Sequence, residues 1–168
     1  MDNTISFATP PVPNMKVYVP NYSKDMKQTM GDLIDKLISY GVLARLEDIG
    51  VVPELVSPSL ITPKPDVGEW RLVTNFSGLN KSIKKYPSTS PMIADGKKYL
   101  ARKKYFIHLD LSNFFFHSGV SAEDSQYLAT LHPYKGLFCY VVEPQGLHNA
   151  SEQGILGYVQ RRPPSPDR

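Results

Sequence analysis

The sequence predicts an α+β domain with a mainly antiparallel sheet and accompanying helices. Three observations lead there: one strongly amphipathic run near the N-terminus, pairs of β-rich runs joined by turn-forming residues, and no strand-helix-strand alternation of the kind that builds a parallel sheet. At 168 residues and 41% hydrophobic content the chain can bury one ordinary core.

Residues 1 to 22 hold Pro10, Pro11, Pro13 and Pro20 and no helical period, so they predict an extended lead-in rather than a packed element. Ser23 then offers an N-cap to a helix whose Met26, Met30, Leu33, Ile34, Leu37 and Ile38 recur at three- and four-residue steps, with Gly41 as the stop. The segment 42–60, broken by Gly50, Pro53 and Pro58, reads as loop with short extended pieces. Two β-rich runs, 59–62 and 70–76, flank Pro-Asp-Val-Gly and predict a hairpin. After a polar stretch, 77–92, comes a short helix around 94–101 and then the strand KYFIHLDL, in which Tyr105, Ile107, Leu109 and Leu111 share one face and Asp110 lies on the other. Runs 125–131 and 136–142, joined by His-Pro-Tyr-Lys, predict a second hairpin. A last helix is expected from Ser151 to about Arg161, and the consecutive prolines of RRPPSPDR predict a disordered tail over 161–168.

The net charge of +3 conceals an asymmetry. Between Lys81 and Lys104 stand eight basic residues against one acid, Asp95, so that window is +7 while the rest of the chain, eleven basic and fifteen acidic residues, is −4. Such a segment suits a polyanion or a solvated face with extended lysine stems, and charge alone leaves both open. The lone Cys139 cannot form an internal disulfide, and with four scattered histidines it offers no zinc-spaced ligand pairs. The N-terminus does not read as a signal peptide, and no apolar run spans a bilayer. An intracellular setting, cytoplasmic or nuclear, without membrane contact is the expectation.

Three strings carry chemistry: WRLVTNFSGLN (70–80), LDLSNFFF (109–116) and PQGLHNASE (144–152). In this order they resemble the polymerase domain of reverse transcriptases of gypsy-type long-terminal-repeat retrotransposons and of retroviruses, and flanking pieces extend the likeness over about residues 15 to 155. The resemblance implies right-hand polymerase fingers over 15–85 and 120–150, palm segments over 86–119 and 151–160, and a lead-in over 1–14. It implies RNA-directed DNA synthesis from deoxynucleoside triphosphates on a primed RNA or DNA template, with Mg2+ or Mn2+.

Nucleotidyl transfer needs divalent ions held by hard oxygen ligands. The resemblance assigns that role to Asp110 and to the Leu111 carbonyl; without it, Asp110 reads as a solvated aspartate at a strand end. Phe115 falls where the family places a ring under the incoming sugar, excluding a ribose 2′ hydroxyl by contact. Arg71 and Lys64, on the two arms of the first hairpin, correspond to residues that grip the triphosphate, although an exposed structural lysine fits Lys64 equally well. Gln145 and Gly146 match the stretch against the nucleotide sugar, where plain structure would make PQG a turn. Lys81, Lys84 and Lys85 would meet the nucleic-acid backbone, as would Asn149 at the start of a supporting helix.

The chain departs from the family pattern at Pro65 and Val67, at His117, Ser118 and Gly119, and at Gln153 and Gly154. No Asp-Asp pair occurs in it, so a Tyr-x-Asp-Asp hairpin with the remaining metal carboxylates is absent from these residues, and the expectation is a fragment inactive by itself. The rival from another class is a non-catalytic retroelement remnant that binds nucleic acid or a partner through its basic segment. A metal-dependent hydrolase is disfavoured because no second carboxylate or histidine set accompanies Asp110.

Overall fold

Helix α1, Lys24–Ser39, begins where the Ser23 hydroxyl accepts the Met26 amide at 3.3 Å and ends just ahead of Gly41, whose φ of 67° turns the chain out of the helix. The computed structural model describes residues 4–64, 68–87, 93–101, 103–105, 107, 116 and 118–149. The remaining elements are β1 (Leu43–Arg45), α2 (Leu46–Ile49), β2 (Val56–Ser57), β3 (Ser59–Pro63), β4 (Trp70–Thr74), α3 (Ser77–Asn80), α4 (Ile93–Ala101), α5 (Ala122–Ser125), β5 (Ala129–His132) and β6 (Gly136–Tyr140).

The described residues form two sheets, one of four strands in the order β1-β6-β5-β2 and one of two, β3-β4. Among the described strands, pairings are antiparallel except β2 with β5. The fold is therefore α+β with a mainly antiparallel sheet. One core holds Met30 and Ile34 of α1, Leu43, Ile61, Phe76, Leu79, Leu128 and Phe138. Burying each such side chain stabilises by about 1.5–3 kcal/mol before chain entropy is counted.

Four hydroxyls in series join the sheets. Thr130 meets Ser59 at 2.5 Å, Ser59 meets its cross-strand partner Thr74 at 2.6 Å, and Thr74 meets the Tyr140 hydroxyl at 2.9 Å. All four residues are buried, so these groups must satisfy one another. Burial also pushes the Tyr140 phenol above its ordinary pKa.

The β5–β6 turn grips α1. His132 Nε2 contacts the Lys27 carbonyl at 3.1 Å, while Nδ1 accepts the amides of Tyr134 and Lys135 at 3.2 and 3.0 Å. Lys135 lies across Gly31, donates to its carbonyl at 3.2 Å and pairs with Asp35.

The structure alters several expectations. The lead-in is extended but packed: Ala8 and Lys84 donate to the carbonyls of Ser82 and Ser6 at 2.8 Å, Asn14 bridges to Leu55, and the Ile5 amide donates to buried Asp124 at 2.9 Å. Its prolines forbid a helix, yet they leave the intervening amides and all carbonyls free to pair. The run expected to be extended from residue 125 begins instead as α5, because Ser121 accepts the Asp124 amide and caps a turn with Glu123 and Asp124 in it; the strand starts at Ala129. Short helix α2 occupies a stretch read as loop and closes on Gly50 at φ 65°, and α3 opens the stretch read only as polar. Tyr105 and Ile107 lie outside any strand and are exposed. Most of the KYFIHLDL strand, the helix expected from Ser151 and the tail 161–168 lie outside the described residues.

Candidate functional site

A cleft of about 790 Å³ opens between α1, the β3–β4 hairpin and the loop after β6. Its walls come from Leu33, Lys36, Leu37 and Tyr40 on α1, from Lys64, Glu69, Trp70, Arg71, Leu72, Val73 and Thr74 on the hairpin, and from Phe116, Tyr140, Gln145 and Gly146. Among the described residues three cations, Lys36, Lys64 and Arg71, face one acid, Glu69, so the described lining carries +2 and favours an anion.

The hairpin places its two basic residues by ladder register. Arg71 stands opposite Thr62, whose hydroxyl accepts its Nε at 3.1 Å, and it has no ion-pair partner among the described residues. That single bond orients the guanidinium and leaves its outer nitrogens for a ligand. One residue beyond the last strand pair, the Lys64 amide donates to the Glu69 carbonyl at 2.8 Å and its ammonium meets the Glu69 carboxylate at 2.7 Å. The Lys64 hydrogen bond and charge hold the Glu69 carboxyl below its ordinary pKa. Both side chains are solvent-exposed, so the pair is weak and can open to a stronger anion.

Across the cleft, Gln145 and Gly146 form the centre of a turn running from Pro144 to Leu147. Gly146 has φ of 94°, the value that the third residue of a type II turn demands and that glycine alone adopts without strain. Pro144 and Leu147 are buried on either side, so Gln145 and Gly146 stay exposed on a fixed base.

Of the residues singled out by sequence, Lys64, Arg71, Gln145 and Gly146 line this one cleft. Lys81, Lys84 and Lys85 lie outside its lining, exposed on the connector after α3, with the Lys84 ammonium 5.5 Å from the Tyr86 ring centre. Asn149 also lies outside it, and its amide is engaged by the backbone: Oδ1 accepts from Tyr86 at 3.2 Å and Nδ2 donates to Lys84 at 2.8 Å. Asp110, Leu111 and Phe115 lie outside the described residues. Among the described residues no three His, Cys, Asp or Glu side chains cluster to hold a metal ion. Phe116 is half-buried, lines the cleft and packs on the core. Sequence reasoning missed Lys36, which reads only as part of the polar face of α1, and Asn80, whose partners are far along the chain.

No protein-family model matches the chain. The Pro-Pol polyprotein of simian foamy virus type 3 (strain LK3) is 30% identical over 125 residues, 74% of this chain and 10% of the polyprotein. That of feline foamy virus is 28% identical over 149 residues, 83% of this chain and 11% of the polyprotein. Among solved structures, native prototype foamy virus protease-reverse transcriptase matches with a TM-score of 0.71 at 28% identity, over 94% of this chain and 20% of that one. A foamy viral protease-reverse transcriptase in complex with an RNA/DNA hybrid matches with a TM-score of 0.68 at 20% identity, over 95% of this chain and 20% of that one, a likeness of fold. The chain spans about a tenth of the length of the curated relatives it matches.

Proposed function

This chain is retroviral-reverse-transcriptase-like in sequence and in fold, and on that premise we propose that it supplies the nucleotide-gripping part of an RNA-directed DNA polymerase. The cleft takes the incoming deoxynucleoside triphosphate. Arg71 meets the phosphates through its planar fork, and Lys64 joins it by leaving Glu69. Gln145 and Gly146 lie against the sugar, and Phe115 screens out a 2′ hydroxyl. Lys81, Lys84, Lys85 and the region of Asn149 face the template backbone. Asp110 and the Leu111 carbonyl would hold Mg2+, which would supply charge neutralisation at the attacking and leaving oxygens. A gypsy-type element as the source is the finer reading that the motif strings suggest.

The observation that carries this reading is that two pairs distant in sequence, Lys64 with Arg71 and Gln145 with Gly146, line one cleft whose described residues carry net positive charge. Equilibrium binding of 2′-deoxythymidine triphosphate with Mg2+ tests it. Arg71→Ala is expected to weaken binding at least about tenfold, or about 1.4 kcal/mol, without changing the unfolding midpoint, because the side chain is exposed. A wild-type chain that shows no saturable binding defeats the proposal.

The second reading, a non-catalytic nucleic-acid-binding remnant, is favoured by the +7 window from Lys81 to Lys104. It predicts salt-dependent binding of a primed template that Arg71→Ala leaves unchanged.

A further inference from the structure

Asn80 has no role in the reading above, yet its side chain is bonded to the Gln145–Gly146 turn by both ends. Nδ2 donates to the Gly146 carbonyl at 2.9 Å and Oδ1 accepts the His148 amide at 2.9 Å. One end must donate and the other accept, so the amide has a single orientation and clamps residues 146 to 148. The turn's own closing bond, from the Leu147 amide to the Pro144 carbonyl, is long at 3.5 Å and correspondingly weak. The direction of the Gly146 peptide is therefore set from outside the turn.

Asn80 ends α3, and its amide donates to the Phe76 carbonyl at 2.8 Å, just past the strand that carries Arg71. One short segment thus links the two walls of the cleft, the cations on the hairpin and the turn opposite. A second clamp, Asn149 on the backbone of Lys84 and Tyr86, holds the end of the same loop independently. Loss of the Asn80 clamp removes both bonds that orient the exposed part of the turn, while Asn149 still holds the end of the loop.

We propose that Asn80 is a positioning residue for the sugar end of the cleft, holding Gln145 and Gly146 at a fixed distance from the phosphate-binding Arg71. This rests on the triphosphate reading of the cleft. The two ends of the ligand then respond differently to its removal, because the phosphates meet the hairpin and only the nucleoside meets the turn.

Binding of 2′-deoxythymidine triphosphate and of inorganic tripolyphosphate, each with Mg2+, separates them. Asn80→Ala is expected to weaken the deoxynucleotide about tenfold, the scale of a lost orientation, and to leave tripolyphosphate unchanged. Arg71→Ala weakens both. Wild-type deoxynucleotide affinity in Asn80→Ala, or equal losses for both probes, overturns the role of Asn80 while the cleft reading stands on the Arg71 result. If the wild-type chain binds neither probe, both proposals fall. Should Asn80→Ala not fold by circular dichroism, Asn80→Asp carries the test: it keeps an acceptor for His148, sets a carboxylate against the Gly146 carbonyl, and is expected to show the same split. Failure of both variants to fold makes Asn80 a plain structural residue and overturns the proposal.

Discussion

Thr74→Val tests whether the hydroxyl series is what couples the two sheets. Valine keeps the shape of the side chain and removes the oxygen that joins Ser59 at 2.6 Å and Tyr140 at 2.9 Å. Ser59 retains Thr130 at 2.5 Å, but the Tyr140 hydroxyl, on a residue 5% exposed, loses its Thr74 partner. An orphaned buried hydroxyl costs about 1–3 kcal/mol. The added methyl offsets up to about 0.8 kcal/mol of this. With the full offset the expected net loss is about 0.2–2 kcal/mol. Tyr140→Phe removes the other end and leaves Thr74 bonded to Ser59, so it costs about 0.5–1.5 kcal/mol. The double variant has no orphan and should be more stable than the summed losses imply, by about 1 kcal/mol. Urea unfolding followed through Trp70, the only tryptophan, measures all four proteins, and constant m-values make the midpoints comparable. Additivity within about 0.3 kcal/mol would refute the coupling.

Other outcomes follow from single contacts. His132 is held neutral, mainly by burial and further by the nearby Lys135 charge, against the opposing Lys27 carbonyl and Asp35, so its pKa lies below the ordinary 6.5. The unfolded histidine therefore protonates first: stability is full above about pH 6.5 and declines as pH falls toward the folded pKa. Urea midpoints across that range should fall more steeply for wild type than for His132→Asn, and identical slopes would exclude the histidine as the cause. Glu69→Gln releases Lys64, so triphosphate affinity should rise roughly threefold, the scale of an exposed pair; a fall would mean that Glu69 itself supports binding. Gly146→Ala meets no atom within 4 Å but is forced to φ of 94°, so thermal unfolding should show a loss of about 1 kcal/mol from backbone strain alone. An unchanged midpoint would show that the turn relaxes at no cost.

What could be read in the sequence was local. Helix α1 is legible because its period, its Ser23 cap and its Gly41 stop agree, and the β3–β4 hairpin because two β-rich arms flank a turn. Short elements such as β1, α2 and α5 span too few residues for a period to declare itself. The packing of the lead-in was hidden because its partners, Ser82, Leu55 and Asp124, lie far along the chain. The same holds for Asn80, which in sequence is one more polar residue after a glycine-leucine pair and in space reaches a turn 66 positions away. Lys64 and Arg71 could be paired by hairpin logic, but that Lys36 faces the same space depends on how α1 lies against β4, which no local pattern encodes.

The bond from the Ile5 amide to Asp124 spans 119 residues of chain. At ribosomal speeds of about 5–20 residues per second, the acceptor is made roughly 6 to 24 s after the donor. The Ile5 amide is thus synthesised well before the carboxylate that receives it and stays in water until Asp124 has been made.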